Sequence, residues 1–474
     1  MDELRLCLLN DSFPPQIDGV ANAVVNYARI LTQRQVPTEV AVPAYPGVKD
    51  DYPFPVVRYK SLNTTSLVGY RTGNPLDTPS HKEMLALHPT LLHSHCPIIS
   101  TYLARVLREE CGAPLILTYH TKFDIDIARA VKSKALQEQS IRLLVNNISA
   151  CDEVWVVSHG AGENLRSLGY QGDYLVMENG VDFPLGRVPE EQVQALRRQY
   201  GLDETMPVFL FVGRMMWYKG LRLTLTGLHA AKEAGCDFRM FFIGDGADRS
   251  EMELYAKDLG LSDRCIFTGA VRDRELLRTY FCMGDLFLFP STFDTNGIVV
   301  REAAACGLGS LMILDSCAAE GVTNGQNGIL IHEDPREMGE AVIHACRDRA
   351  FVRRIGENAQ AQLYCSWEDS VQRAQERYGE VLKRKAAGAY ENRRRTPLEE
   401  MIAGAARFTE DMEKAMRPLF VKEHQAEYRH IEAETRRQAK AEAFENDAKA
   451  TLNRLEHNID KARAQLSEKL ERYL

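Results

Sequence analysis

The chain has 474 residues, enough for two or three domains, and 45% of them are hydrophobic, enough for each to bury a core. A net charge of −8 argues against a nucleic acid as the main partner, because a phosphate backbone needs a basic face. Eleven cysteines, with no C-x-x-C pair, argue against a disulfide framework or a structural zinc site and fit a reduced cytosolic protein.

The chain enters a strand-like run, Leu4-Arg5-Leu6-Cys7-Leu8-Leu9, rather than a signal peptide. From there to about Asp182, apolar runs alternate with helical patterns. Val40-Ala41-Val42-Pro43, Leu91-Leu92-His93-Ser94-His95, Leu115-Ile116-Leu117-Thr118-Tyr119-His120, Val154-Trp155-Val156-Val157-Ser158 and Tyr174-Leu175-Val176-Met177 read as buried parallel strands of a doubly wound sheet. Polar residues gather at the C-terminal ends of these runs, where open α/β sheets place ligands. Residues from about 183 to 205 form a polar connector with a helix in it. A second strand-helix series follows: Val208 to Val212, Met240 to Gly244, Cys265 to Gly269, Leu286 to Phe289 and Ser310 to Leu314. The expected domains are 1–185 and 186–365, facing across a cleft. From about Tyr390 charge becomes dense, glycine nearly disappears after Gly404, and 389–474 reads as a helical extension.

The segment from Phe293 to Gly307 carries the most chemistry. Asp294 and Glu302 stand eight positions apart, and between them Asn296-Gly297 can open a helix that Ile298 continues. A helix N-terminus attracts anions, because its first N–H groups lack intrahelical partners and the macrodipole is positive there. An acid before the first turn and another two turns on can take hydroxyls. One molecule with a sugar, a diphosphate and a ribose satisfies all three elements, although an amphipathic helix capped by Asp294 or Asn296 fits the same residues.

Three further patterns need weighing. Asp124-Ile125-Asp126 spells D-x-D, a metal signature elsewhere, but its place at a helix start favours helix-capping acids; no essential metal is expected. Ile125 to Ile148 makes an amphipathic helical pattern with Arg129, Lys132, Lys134 and Arg142, suited to an anionic membrane or to packing on the domain. No apolar stretch approaches the ~18–20 residues that span a bilayer. In the extension, Leu452, Leu455, Ile459, Ala462 and Leu466 follow the 3-4-3-4 spacing of a coiled-coil seam, which points to a homo-oligomer or to packing on the chain's own body.

The 293–307 segment resembles the paired-acid motif (E-x7-E) of family 4 retaining glycosyltransferases, with Asp294 in the first acidic position. Other segments match that family in the same order along about residues 4–385. Gly213-Arg214-Met215-Met216-Trp217-Tyr218-Lys219-Gly220 resembles its G-R-x5-KG loop, with four residues between Arg214 and Lys219; the resemblance implies that both grip the donor diphosphate. Gly244-Asp245-Gly246 matches its GDG, and Thr268-Gly269-Ala270-Val271 the segment whose backbone reads the nucleobase. Asp11 to Val20 resembles the loop that brings a glycine, here Gly19, up to the donor phosphates. Asp18 departs from the usual Gly or Asn, and its side chain should point away. His120 matches a histidine that lies over the transferred sugar; His93 and His95 are weaker candidates. Glu178-Asn179-Gly180-Val181-Asp182 resembles a structural interdomain turn with Glu in place of Pro. Ser366-Trp367-Glu368 resembles the start of a helix, 366–388 here, that returns to the first domain.

The resemblance implies a GT-B fold of two Rossmann-like doubly wound domains plus the helical extension. It implies a retaining transfer without metal or cofactor, with Arg214, Lys219, Asp294 and His120 catalytic. Gly19, Gly213, Gly244, Val271, Asn296, Gly297, Ile298 and Glu302 would bind the donor, a nucleotide sugar for which UDP-glucose is favoured. The opening segment and Thr118-Tyr119-His120-Thr121 resemble bacterial 1,2-diacylglycerol 3-alpha-glucosyltransferases, so the favoured acceptor is 1,2-diacylglycerol at the inner face of the cell membrane, reached peripherally. A soluble sugar or small-molecule acceptor is the alternative. A non-catalytic sugar-nucleotide-binding scaffold, acting through its tail, is the rival class.

Overall fold

The computed structural model describes residues 3–390 apart from 17, 66–70 and 76. Strands β1 (Leu6–Leu9), β2 (Thr38–Pro43) and β3 (Val56–Tyr59) precede a small antiparallel ribbon, β4 (Ser61–Leu62) with β5 (Thr72–Gly73). Then come β6 (Leu91–Ser94), β7 (Leu115–Tyr119), β8 (Glu153–Val156) and β9 (Leu175–Val176). Apart from the ribbon they form one parallel sheet in the order β3-β2-β1-β6-β7-β8-β9. The second sheet holds β10 (Val208–Val212), β11 (Arg239–Ile243), β12 (Cys265–Gly269), β13 (Leu286–Phe289), β14 (Ser310–Ile313) and β15 (Ile329–Ile331). It too is parallel, ordered β12-β11-β10-β13-β14-β15. Helices cover the faces, so the inner strands are apolar throughout: Leu6–Leu9 and Leu286–Phe289 are buried at every position.

In each sheet the strand order reverses beside its first strand, between β1 and β6 and between β10 and β13. Connections leave in opposite directions there and open a crevice at the C-terminal strand ends, where α/β sheets hold ligands. Both sheets lie in one compact unit, Met1–Ile402. The chain passes between the halves at Val181, whose N–H donates to the Cys365 carbonyl at 3.0 Å. Gly180 has no room there for a side chain, because a Cβ would lie 2.3 Å from the Trp367 nitrogen.

The helix Trp367–Ala386 begins in a capping box of Ser366 and Asp369. Trp367, Val371, Ala374, Tyr378 and Val381, spaced 4-3-4-3, make one apolar stripe. That stripe is buried with Tyr27, Ala28 and Leu31 of the helix Gly19–Gln33, in the core of the first half. The helix that follows the second half is thus buried in the core of the first half.

Some expectations need correction. The continuous pattern from Ile125 to Ile148 is two helices, Phe123–Ala130 and Lys134–Ser149, because Val131 takes an extended backbone (φ −117°, ψ 115°). Val131 is β-branched, and such a residue is a weak point in a helix. Asp124 does not cap: the N-cap is Lys122, and Asp124 sits in the first turn, accepting from Asn164 Nδ2 at 3.3 Å. The side chains of Asp126 and Arg129 and the heptad residues Leu452 to Leu466 lie outside what is described. The apolar-run reading also passed over β3 and β15. β3 is four residues with Arg58 inside, whose charge is paired with Asp50.

Candidate active site

The switch point of the second sheet assembles a charged cluster. Lys219 follows β10 in a short 3-10 turn, Trp217–Lys219, and Asp294 follows β13. The turn can approach because Gly220 is glycine at φ +75°; a Cβ there would lie 2.1 Å from the Pro290 carbonyl oxygen. Lys219 Nζ then reaches Asp294 Oδ1 at 2.5 Å, and the Ser291 hydroxyl donates to Asp294 Oδ2 at 2.6 Å. Lys219 is 7% exposed, and Tyr218, Phe289 and Phe293 surround its ammonium with ring centroids at 5.5 to 5.9 Å. The aromatic wall excludes water and strengthens the field of the ammonium. Arg214 is exposed on the same loop, and its side chain makes no hydrogen bond or ion pair among the described residues.

Backbone packing holds this loop. A Cβ on Gly244 would lie 1.9 Å from the Gly213 oxygen and one on Gly246 2.4 Å from the Met215 oxygen, so the Gly244-Asp245-Gly246 turn supports the turn at Gly213 by direct main-chain contact. Asp248, which the motif reading passed over, accepts from the Trp217 N–H at 2.8 Å. Val271 lies just beyond β12, half-buried against the core of the second half.

Gly297 opens the helix Ile298–Ala305 at φ +56° with no side-chain cap. Its first N–H groups therefore keep an anion-binding end. Both amide atoms of Asn296, which is 7% exposed, are buried without a hydrogen-bond partner among the described residues. Buried polar atoms are rarely left so, and each costs about 1–3 kcal/mol. Glu302 lies on the same helix, but its carboxylate is already paired, with Arg274 Nη2 at 2.6 Å. Burial pushes the Glu302 carboxyl up from its ordinary value, against the pull of Arg274. Arg274 also stands 3.8 Å from Asp182, which accepts from Asn26 of the helix Gly19–Gln33 at 3.2 Å. Nothing in the spacing of Arg274 announced that partnership.

The first half presents a different surface. Asp18 turns back to cap the helix Gly19–Gln33, accepting from Val20 and Ala21 at 2.9 and 2.7 Å. Around Gly19 a Cβ would meet nothing within 4 Å. His120, after β7, is 7% exposed and meets His95 (Nε2 to Nδ1, 3.0 Å). His93 packs on His95 with ring centroids 4.1 Å apart and bonds Tyr378 and Thr118, both at 2.7 Å. Burial pushes the His120 imidazole down to about 3, and His93 and His95 well below the usual range, so all three are neutral at pH 7. His120 can exchange hydrogen bonds with a sugar but brings no charge.

Thr295 joins the two clusters, since its hydroxyl donates to the His120 carbonyl at 2.7 Å. His120, Asp294, Lys219, Asn296 and Gly297 are thus brought to one place, with Arg214 on the Lys219 loop. Lys132, Lys134 and Arg142 are not part of it; they are exposed at and before the helix Lys134–Ser149, where Arg142 pairs with Glu138 at 3.8 Å. Among the described residues no group of three or more His, Cys, Asp or Glu comes together as a metal cluster, and no helix is long and apolar enough to cross a membrane.

Two facing parallel-sheet halves, with charged loops at the switch point of the second and a returning helix, define the GT-B class of glycosyltransferase folds. The family comparison agrees: residues 17–183 match the Glycosyltransferase Family 4 model and 192–362 the Glycosyl transferases group 1 model. The chain is a glycosyltransferase of this two-domain family. A GDP-mannose-dependent alpha-mannosyltransferase of Corynebacterium glutamicum is 25% identical over 336 residues, 69% of this chain and 76% of that one. An alpha-monoglucosyldiacylglycerol synthase of Acholeplasma laidlawii is 23% identical over 370 residues, 75% and 92% of the two chains. In fold, the chain is similar to Anabaena Alr3699/HepE, solved in complex with UDP: TM-score 0.64 at 19% identity, over 80% of this chain and 100% of that one.

Proposed function

We propose that the protein is a retaining hexosyltransferase that works without a metal or other cofactor, with UDP-glucose the favoured donor and a lipid, 1,2-diacylglycerol, the favoured acceptor. The observation that carries the donor half is the convergence of Lys219, Asp294 and an uncapped helix N-terminus at one switch point, with Arg214 unpaired on the same loop. A leaving nucleoside diphosphate develops negative charge, which two side-chain cations and a helix dipole offset. Asp294 and neutral His120 would orient the hexose. Glu302 would take the ribose hydroxyls by exchanging or sharing Arg274. No side chain stands out as a nucleophile for a double displacement, so same-face attack, with the leaving phosphate accepting the acceptor's proton, suits this inventory.

The lipid half rests on the surface of the helix Lys134–Ser149. Leu136 and Leu143 are 58% and 54% exposed there, beside Lys132, Lys134 and Arg142. Apolar side chains ringed by cations suit an anionic bilayer surface, which would place the protein peripherally on the cytoplasmic face. The Acholeplasma relative is named for a glucosyldiacylglycerol product. The Corynebacterium relative is named for GDP-mannose, so GDP-mannose is the donor to test against UDP-glucose.

The test is a transfer assay with UDP-glucose, UDP-galactose and GDP-mannose, with and without diacylglycerol in anionic vesicles, after exhaustive EDTA treatment. An α-linked glycolipid made only with vesicles present is the expected product. A β-linked product overturns retention, loss of activity restored by Mg²⁺ overturns metal independence, and vesicle-independent transfer to a soluble sugar overturns the lipid acceptor. We further propose self-association through the 389–474 extension. A chain ending at Ala387 should keep nucleotide binding and scatter light as a smaller assembly.

A further inference from the structure

The donor loop from Thr292 to Asn296 belongs to the second half but is held from the first. Lys122 Nζ donates to the Thr292 carbonyl at 3.4 Å. The Thr295 hydroxyl donates to the His120 carbonyl at 2.7 Å, and the Thr295 carbonyl accepts from the Ser158 hydroxyl at 2.5 Å. Its hydroxyl and its carbonyl are thus both taken by the opposite half, while Asp294 beside it is bound to Lys219 of its own half.

A second tether runs beside it. The Glu320 carboxylate of the second half accepts from the His159 N–H at 2.7 Å and the Gly160 N–H at 2.5 Å, at the start of the helix His159–Ser167 of the first half. The bonds are charge-assisted and meet the positive end of that helix. Contact is close: a Cβ on Gly160 would lie 2.5 Å from Cys317 Sγ and 3.1 Å from Glu320 Oε1. Ser158 links the tethers, since its hydroxyl oxygen also accepts from the Ala161 N–H at 3.0 Å.

We propose that Thr295 and Glu320 are positioning residues that make the geometry of the donor loop conditional on the two halves meeting. When the halves part, the Thr295 hydroxyl and carbonyl lose their partners together, and the peptide between Asp294 and Asn296 is free to turn. When they meet, Glu320 seats on the His159 helix and Ser158 and His120 fix Thr295, which sets Asp294 against Lys219. Ligand binding that favours the closed arrangement would thereby complete the site that uses it. The inference rests on reading Asp294 as a donor-site residue.

Hydrogen exchange on the full-length protein tests the tether without any assay of transfer. In Glu320→Ala, exchange at the His159 and Gly160 amides should rise about tenfold or more, with strand β7 amides unchanged. Glu320→Gln, which keeps one carbonyl oxygen, should give a smaller rise and serves as the readable variant if Glu320→Ala melts early. In Thr295→Val, kcat should fall about tenfold or more while the affinity for UDP stays within about threefold, and Thr295→Ser should recover most of the rate. Unchanged exchange in both Glu320 variants, or a Thr295→Val kcat within about twofold of wild type, overturns the proposal. A wild-type protein that binds no UDP and turns over no donor would sink the donor reading instead, and the exchange comparison would still decide the tether.

Discussion

The two sheets share a strand order and a switch point, yet their crevices are built from different electrostatics. In the second half, Lys219 and Arg214 bring positive charge, and the helix Ile298–Ala305 starts without a side-chain cap. In the first half, the helix ends near the crevice are already occupied. Asp18 caps Gly19–Gln33, and Asp11 accepts from Ile99 and Ser100 at the start of Ile99–Cys111. The ring cluster there, His93, His95 and His120, is neutral. A doubly wound fold offers helix N-termini at both crevices, and which of them takes an anionic ligand depends on where the chain has placed its own carboxylates.

The comparison breaks first at Lys219. Lys219→Ala and Arg214→Ala should each lower turnover by ~10²–10³, the usual cost of losing one preorganised charge-stabilising donor. Steady-state kinetics giving near-wild-type rates for both would move the diphosphate elsewhere. In the neutral half the effect should be smaller and of another kind. His120→Ala should slow transfer by roughly tenfold and leave UDP affinity, by calorimetry, nearly unchanged; equal losses in both would remove His120 from the sugar site.

The neutrality of the first half has its own signature. A histidine held near 3 when folded and near 6.5 when unfolded binds fewer protons folded, so its stabilising effect is complete above about pH 6.5 and is lost as pH falls toward 3. For His120 that loss is about 2 kcal/mol between pH 7 and pH 5. Thermal melts of His120→Gln should therefore decline less over that interval than wild type; parallel declines would mean the ring is charged or exposed. The smallest expected effect is at Asp18. Asp18→Ala should cost about 1 kcal/mol of stability through the lost cap, with little change in nucleotide affinity. A marked gain in affinity would show that Asp18 opposes the donor phosphates. Separately, charge reversal at Lys132, Lys134 and Arg142 should weaken co-sedimentation with anionic vesicles, and unchanged sedimentation would favour a soluble acceptor.

The sequence by itself determined the parallel sheets and the order of their loops. Strands buried on both faces must be apolar throughout, so runs such as Val208 to Val212 and Leu286 to Phe289 declare themselves. It also marked Asp294 and Gly297, by their spacing about a helix start, and, through the family resemblance, Gly213, Lys219 and Gly244. The break at Val131, the cap at Lys122 and strand β3 were not legible, since there weak local preferences are decided by packing. Only the tertiary structure paired Glu302 with Arg274 and Lys219 with Asp294, stacked His95 on His120, and set Thr295 and Glu320 against the opposite half. Those partners lie up to 175 residues apart for Thr295 and His120, and their types are ordinary for surface loops. Periodicity records what a residue does within its own element; which carboxylate meets which cation is fixed only when two elements are folded to within a few ångströms of each other.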